Sequence, residues 1–161
     1  MSDLRAFLGD VGLTDARTVL QSGNFVADTR ARDATALERM LEHECARRLK
    51  IKTNFFLRTP QEWNAVVAGN PFPSEAARDP GRLAVIFLKS APDRAHVTRL
   101  ERAITGREVV RPLGRHLVAY YPDGQGRSKL NAALIERHLE SPGTARNWNT
   151  VLRLKAMLET D

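Results

Sequence analysis

The segment Gly124-Gln125-Gly126-Arg127-Ser128-Lys129-Leu130 sets two glycines, a hydroxyl and two cations at the start of a stretch with helical spacing. A chain opening a helix presents unbonded N–H groups and the positive end of the helix dipole, so this arrangement suits a phosphate or carboxylate. It is not a Walker A motif, because the Gly-x4-Gly-Lys-Ser/Thr order is absent. An ordinary turn with an N-cap uses the same residue types. A second helix start follows in Thr144-Ala145-Arg146-Asn147-Trp148-Asn149-Thr150-Val151, where either asparagine can cap, Arg146 can grip an oxyanion with two hydrogen bonds and Trp148 can offer a stacking face. The other use of that run is structural, with Trp148 in the core and Arg146 paired with a carboxylate. The expected ligand site is therefore Arg127, Ser128, Lys129, Arg146, Asn147, Trp148, Asn149 and Thr150, with Lys129 and Arg146 converging on one anion. The turn residues Gln21, Ser22 and Asn24 are a further loop contribution.

Other reactive residue types form no recognisable set. His43, His96, His116 and His138 lack metal-binding spacing with a companion acid, and no Gly-x-Ser-x-Gly elbow occurs. Glu42 and Glu44 stand two apart on a helical pattern and diverge. Cys45 is the single cysteine and falls on an apolar helix side, which excludes an intrachain disulfide and a thiolate-built metal site. No metal or cofactor is implied, and no enzyme class is favoured.

The charge balance bears on the partner. Of 25 cations twenty are Arg and five Lys, and the formal net charge is +6. Residues 107–155 hold nine cations against four anions, so the excess gathers toward the C-terminal end. Anion binding and a merely solvated arginine surface both fit this pattern. With 42% hydrophobic and 27% charged residues the chain has globular composition. No apolar run approaches the roughly 18 to 20 residues of a membrane span, and the N-terminus lacks the pattern of a secretory signal, so a cytoplasmic location is expected.

The elements that must position these residues read as two similar halves. A helix from Ser2 carries Leu4, Phe7, Leu8 and Val11 on one face, and strands at 18–20 and 25–27 flank a turn. Asp33 opens a longer helix through Leu49, and 53–58 reads as a strand. Thr59-Pro60-Gln61-Glu62 combines an N-cap, a proline at the first helical position and a capping-box glutamate. The stretch 71–81, with three of the eight prolines, reads as the connection between a half at 1–70 and a half at 82–161. The second half reads as a strand at 83–88, a helix, a hairpin around Pro112-Leu113-Gly114, a helix over 128–139 and a final helix after Asn149. The fold class is α+β, two split βαβ halves of which the first lacks its opening strand. In that arrangement the opening strand is central, so its absence leaves two neighbours without a partner.

Gln21-Ser22-Gly23-Asn24, Ser128-Lys129-Leu130-Asn131 and the run Thr144 to Val151 with Leu152 and Leu154 resemble, in order and spacing, the bacterial domain of unknown function 1697. The resemblance spans essentially the whole chain, with Arg146 to Val151 its most specific piece. It implies ferredoxin-like halves and no established activity. The family pattern also opens with a strand and a glycine-rich segment ahead of the first helix, which nothing here matches; a late-called start or a genuine truncation is the expected cause.

Three functions fit these features. One is a binding module for a phosphate-bearing ligand, with nucleic acid as its large version, although ten aromatics and no RNA-recognition pattern argue against the latter. The second is an enzyme acting on a small anionic metabolite. The third is a structural protein that forms a homodimer through an open sheet edge.

Overall fold

The computed structural model describes residues 2–19 and 23–159. The chain is α+β, with a two-stranded and a four-stranded antiparallel sheet. It divides into two compact units, the first comprising 1–60 with 154–161 and the second 61–153. The helix opened by Pro60 lies from Gln61 onward in the second unit, and the end of the last helix lies in the first.

In the first unit, helix α1 (Ser2–Asp10) precedes the hairpin β1 (Thr14–Val19) and β2 (Asn24–Asp28). Helix α2 (Ala34–Leu49) begins at Asp33, whose carboxylate accepts from Ala36 N at 3.1 Å, and ends at Lys50 in the left-handed conformation. Phe7 and Leu8 of α1, Leu13, Leu41 and Cys45 of α2, and Phe55 make its core. The expected strand at 53–58 does not form: 51–59 has no regular secondary structure. Leu57 N donates to Glu38 Oε2 at 2.7 Å and Phe55 N to Glu42 Oε2 at 2.8 Å. The spacing explains the fit. Residues four apart on a helix rise by about 6 Å and residues two apart in extended chain by about 6.6 Å, so two carboxylates of α2 match two successive inward N–H groups.

The second unit starts with α3 (Pro60–Ala68), of which Gln61 onward belongs to it, and the short α4 (Pro73–Arg78). Strand β3 (Leu83–Leu88) is buried at every position. Helix α5 (Arg94–Ala103), strands β4 (Val109–Leu113) and β5 (His116–Tyr120), helix α6 (Ala132–Leu139) and strand β6 (Gly143–Asn147) come next, and α7 (Trp148–Glu159) ends the chain. The strand order is β4-β5-β3-β6. Pro112, which cannot donate to a ladder, sits in the outer strand β4. Strand β6 was not expected; its glycine, threonine and arginine hide a strand that pairs with β3 from Leu88↔Gly143 to Ala84↔Asn147.

Side-chain alternation separates the two faces of this sheet. Ala84, Ile86 and Leu88 pack with Val97 and Leu100 of α5 and Ile135 and Leu139 of α6. Phe87 points the other way, stacked on Trp63 of α3 with ring centroids 5.0 Å apart, and Trp63 Nε1 donates to Val151 O of α7 at 2.9 Å. Among the described residues the first unit has no counterpart of β3, while α1, β1, β2, α2 and 53–58 follow the order of α5, β4, β5, α6 and β6. No helix among the described residues is long and apolar enough to cross a membrane.

Candidate functional site

The pairings Leu83↔Tyr120, Ala84↔Asn147 and Val109↔Tyr120 bring the start of β3, the ends of β5 and β6 and the start of β4 to one end of the four-stranded sheet. The loop 121–131 is fastened there. Tyr121 N donates to Arg82 O at 2.8 Å, and the buried Tyr121 hydroxyl donates to Leu130 O at 3.0 Å. Burial, reinforced by the nearby Glu108 charge, pushes that phenol up to about 12. Ser128 Oγ donates to Glu108 Oε2 at 2.5 Å and accepts from Leu130 N at 3.0 Å. Arg107 pairs with Asp123, whose carboxyl it holds below the usual range.

These bonds correct the expected start of α6. Helix α6 begins after Asn131, whose side chain accepts from Leu134 N at 3.0 Å; Ser128 spends its hydroxyl on the preceding turn instead. Arg127, Ser128 and Lys129 therefore stand in a loop, not in the first turn of a helix. Gly124, with φ at 89°, makes the left-handed bend that begins it. Arg127 and Lys129 are exposed, and among the described residues neither has an acidic partner.

The second expected helix start is built differently as well. Helix α7 begins at Trp148; Asn147 Oδ1 accepts from Asn149 N at 2.9 Å and its Nδ2 donates to Gly81 O at 3.0 Å. Asn147 is thus the cap, at the same sheet end as the 121–131 loop, with Asn149 exposed and Thr150 half-buried behind it. Trp148 is 4% exposed, which corrects its expected stacking role: its ring is a core anchor. Arg146 pairs with Val85, so its side chain leaves from the sheet face opposite α5 and α6. Its Nη1 turns back along β6 to Thr144 Oγ1 and Ala145 O, both at 2.8 Å, and burial lowers its pKa from the ordinary guanidinium value. Arg146 is thus bound along β6, while Lys129 stands exposed in the 121–131 loop. Gln21 and Ser22 lie outside the described residues; Asn24 is buried in β2 and donates to Val19 O at 3.4 Å.

Two further carboxylates organise their surroundings without standing among the expected residues: Glu108, which holds the loop through Ser128, and Glu140, to which His96 and Arg99 both turn. Neither lies in a motif. The three-residue spacing of His96 and Arg99, one turn of helix, was the available signal for the latter.

An α+β protein with a four-stranded antiparallel sheet and a basic loop at one of its ends is the class that fold and site define. The chain belongs to the family described as protein of unknown function DUF1697, whose profile matches residues 1–117. The 121–131 loop and the Arg146 run lie beyond the matched residues. The fold is similar to that of conserved bacterial protein SP0830 from Streptococcus pneumoniae, at 21% identity over 98% of this chain and 88% of that one, with a TM-score of 0.68. No functionally curated protein matches the chain.

Proposed function

We propose that this protein is a non-catalytic binding module of the cytoplasm, which takes a small phosphate-bearing ligand at the loop end of a ferredoxin-like second unit. The observation that carries the reading is the pair Arg127 and Lys129, exposed and without an acidic partner among the described residues, on a loop pinned by Tyr121 and Ser128. Cations already held by carboxylates have little to offer an incoming anion; these two are uncommitted, and fixing their loop beforehand lowers the ordering cost of binding. Asn149, exposed at the first turn of α7 at the same sheet end, is a neutral donor suited to the same ligand.

Burial of Trp148, and of Phe87 beneath Trp63, supports a small ligand over single-stranded nucleic acid, which needs exposed aromatic faces for its bases. Calorimetric titration with inorganic pyrophosphate and with a nucleoside triphosphate tests the reading. Each charge-assisted contact stabilises by about 1.5 to 3 kcal/mol, so Lys129→Ala is expected to weaken binding more than about tenfold. Arg146→Ala is expected to leave the affinity unchanged. Equal binding by Lys129→Ala and the unaltered protein, or tighter binding to an oligonucleotide than to either small anion, counts against it.

A further inference from the structure

The hydrogen-bond phase of the four-stranded sheet fixes which backbone groups reach its two open sides. Tyr121 N donates to Arg82 O at 2.8 Å and Leu88 N to Arg115 O at 3.0 Å, so Ala84, Ile86 and Leu88 bond toward β5, and Leu83, Val85 and Phe87 toward β6. Carried across the register, Thr144 and Arg146 bond inward to β3, and Val109, Arg111 and Leu113 inward to β5. The carbonyls of Ala145 on β6 and Val110 on β4 therefore point out of the sheet. Pro112, which has no N–H to offer, falls at an outward position too, as this phase requires. Both outward carbonyls are taken by the arginine that follows them. Arg146 Nη1 donates to Ala145 O at 2.8 Å, and Arg111 Nη1 to Val110 O at 2.9 Å. The two arginines end a single row across the sheet, Arg111, Val118, Val85 and Arg146, so they leave the same face and fold over opposite edges. Each has a second anchor: Thr144 Oγ1 for Arg146, at 2.8 Å, and the Phe72 ring for Arg111, its centroid 5.9 Å from the guanidinium.

An edge strand that shows its carbonyls and N–H groups is a template for a further strand. Strand β4 is closed in two other ways, by Pro112 and by the burial of Val110, which is 1% exposed. Strand β6 contains no proline and Ala145 is exposed, so its edge depends on Arg146. We propose that Arg146 is an edge guard, which keeps β6 from pairing with β6 of a second copy of this chain. Such a pair is antiparallel and two-fold symmetric about Ala145, the same strand serving as the surface on both copies. To form it, each copy must first lift its guanidinium off Ala145 O and Thr144 Oγ1, and that cost holds the edge closed.

Sedimentation velocity of the full chain over a concentration series tests this, with amide exchange at Ala145 as the local readout. Losing a charge-assisted bond at each edge should shift the association at least about tenfold, so Arg146→Ala is expected to self-associate at concentrations tenfold or more below those at which the unaltered protein does. Its Ala145 amide, which faces outward, should exchange more slowly as the concentration rises. Arg94→Ala removes the same charge from an exposed position on α5 and should sediment as the unaltered protein does. Should Arg146→Ala lose the dispersed NMR spectrum of the folded chain, Thr144→Val takes its place: it keeps the charge, removes one anchor of the guanidinium and is expected to shift association in the same direction. The assignment is overturned if the folded variant associates no more readily than the unaltered protein, if Arg94→Ala associates as strongly, or if Ala145 exchange in the variant is independent of concentration.

Discussion

Glu38 is 3% exposed on α2, and its carboxylate accepts the Leu57 N–H at 2.7 Å from a segment that forms no strand. Replacing Glu38 with Ala removes that acceptor and leaves a part-buried backbone donor to find another. A hydrogen bond to a charged group contributes about 1.5 to 3 kcal/mol, so a loss near the middle of that range, about 2 kcal/mol, is expected. At 1.4 kcal/mol per factor of ten this is roughly a thirtyfold fall in the protection of the Leu57 amide. Native-state hydrogen exchange followed by NMR reads it directly, with Val85 in the other unit's central strand as the internal reference. Glu38→Gln keeps an oxygen at the same place without its charge; a neutral bond is about half as strong, so the loss should be about 1 kcal/mol and protection should fall about fivefold. Leu57 protection unchanged in Glu38→Ala would refute the claim that α2 carboxylates hold this segment, as would an equal fall at Val85, which signals global unfolding.

Tyr121 gives a pH test. Its folded pKa is raised from the ordinary 10.0 to about 12, so its contribution is complete below pH 10 and is lost as pH rises through 12. At 1.36 kcal/mol per pH unit the contribution is about 3 kcal/mol, and Tyr121→Phe should flatten the fall in urea midpoint across that window. Absorbance at 295 nm, taken as the difference between the two proteins, should place the Tyr121 transition well above that of free tyrosine. Gly143 has no room for a side chain: a Cβ there would stand 2.9 Å from Leu88 Cδ2 and 3.0 Å from Ile86 Cγ2. Gly143→Ala should therefore cost about 1 to 3 kcal/mol by overpacking, read as a lower denaturation midpoint, and an unchanged midpoint would mean that β6 lies farther from β3 than described. Removing the α6 cap with Asn131→Ala should cost about 1 kcal/mol, detectable as faster exchange of the Leu134 amide.

Local chemistry made much of this chain legible. Asp33 caps the helix expected of it, Pro60 opens α3, and the continuous apolar run 83–88 is the fully buried β3. Each of these signals acts within a few residues, through a side chain on its own backbone or through a periodicity. The α+β class and the likeness of order between the two halves came from them. Tertiary structure alone decided the rest. Strand β6, with Thr144 its one β-branched residue, has little strand-forming composition and is held by the ladder that β3 offers it. Segment 53–58 has such composition and forms no strand; the carboxylates of Glu38 and Glu42 take two of its N–H groups. The expected helix starts were settled in the same way. Ser128 could serve either a helix or a turn, and Glu108, twenty residues away, drew it to the turn; the pairing of Arg146 with Val85 turned its side chain to the far face of the sheet, away from α5 and α6. A one-residue difference in register reverses the face a side chain occupies, and register is a relation between strands that neither strand's sequence contains.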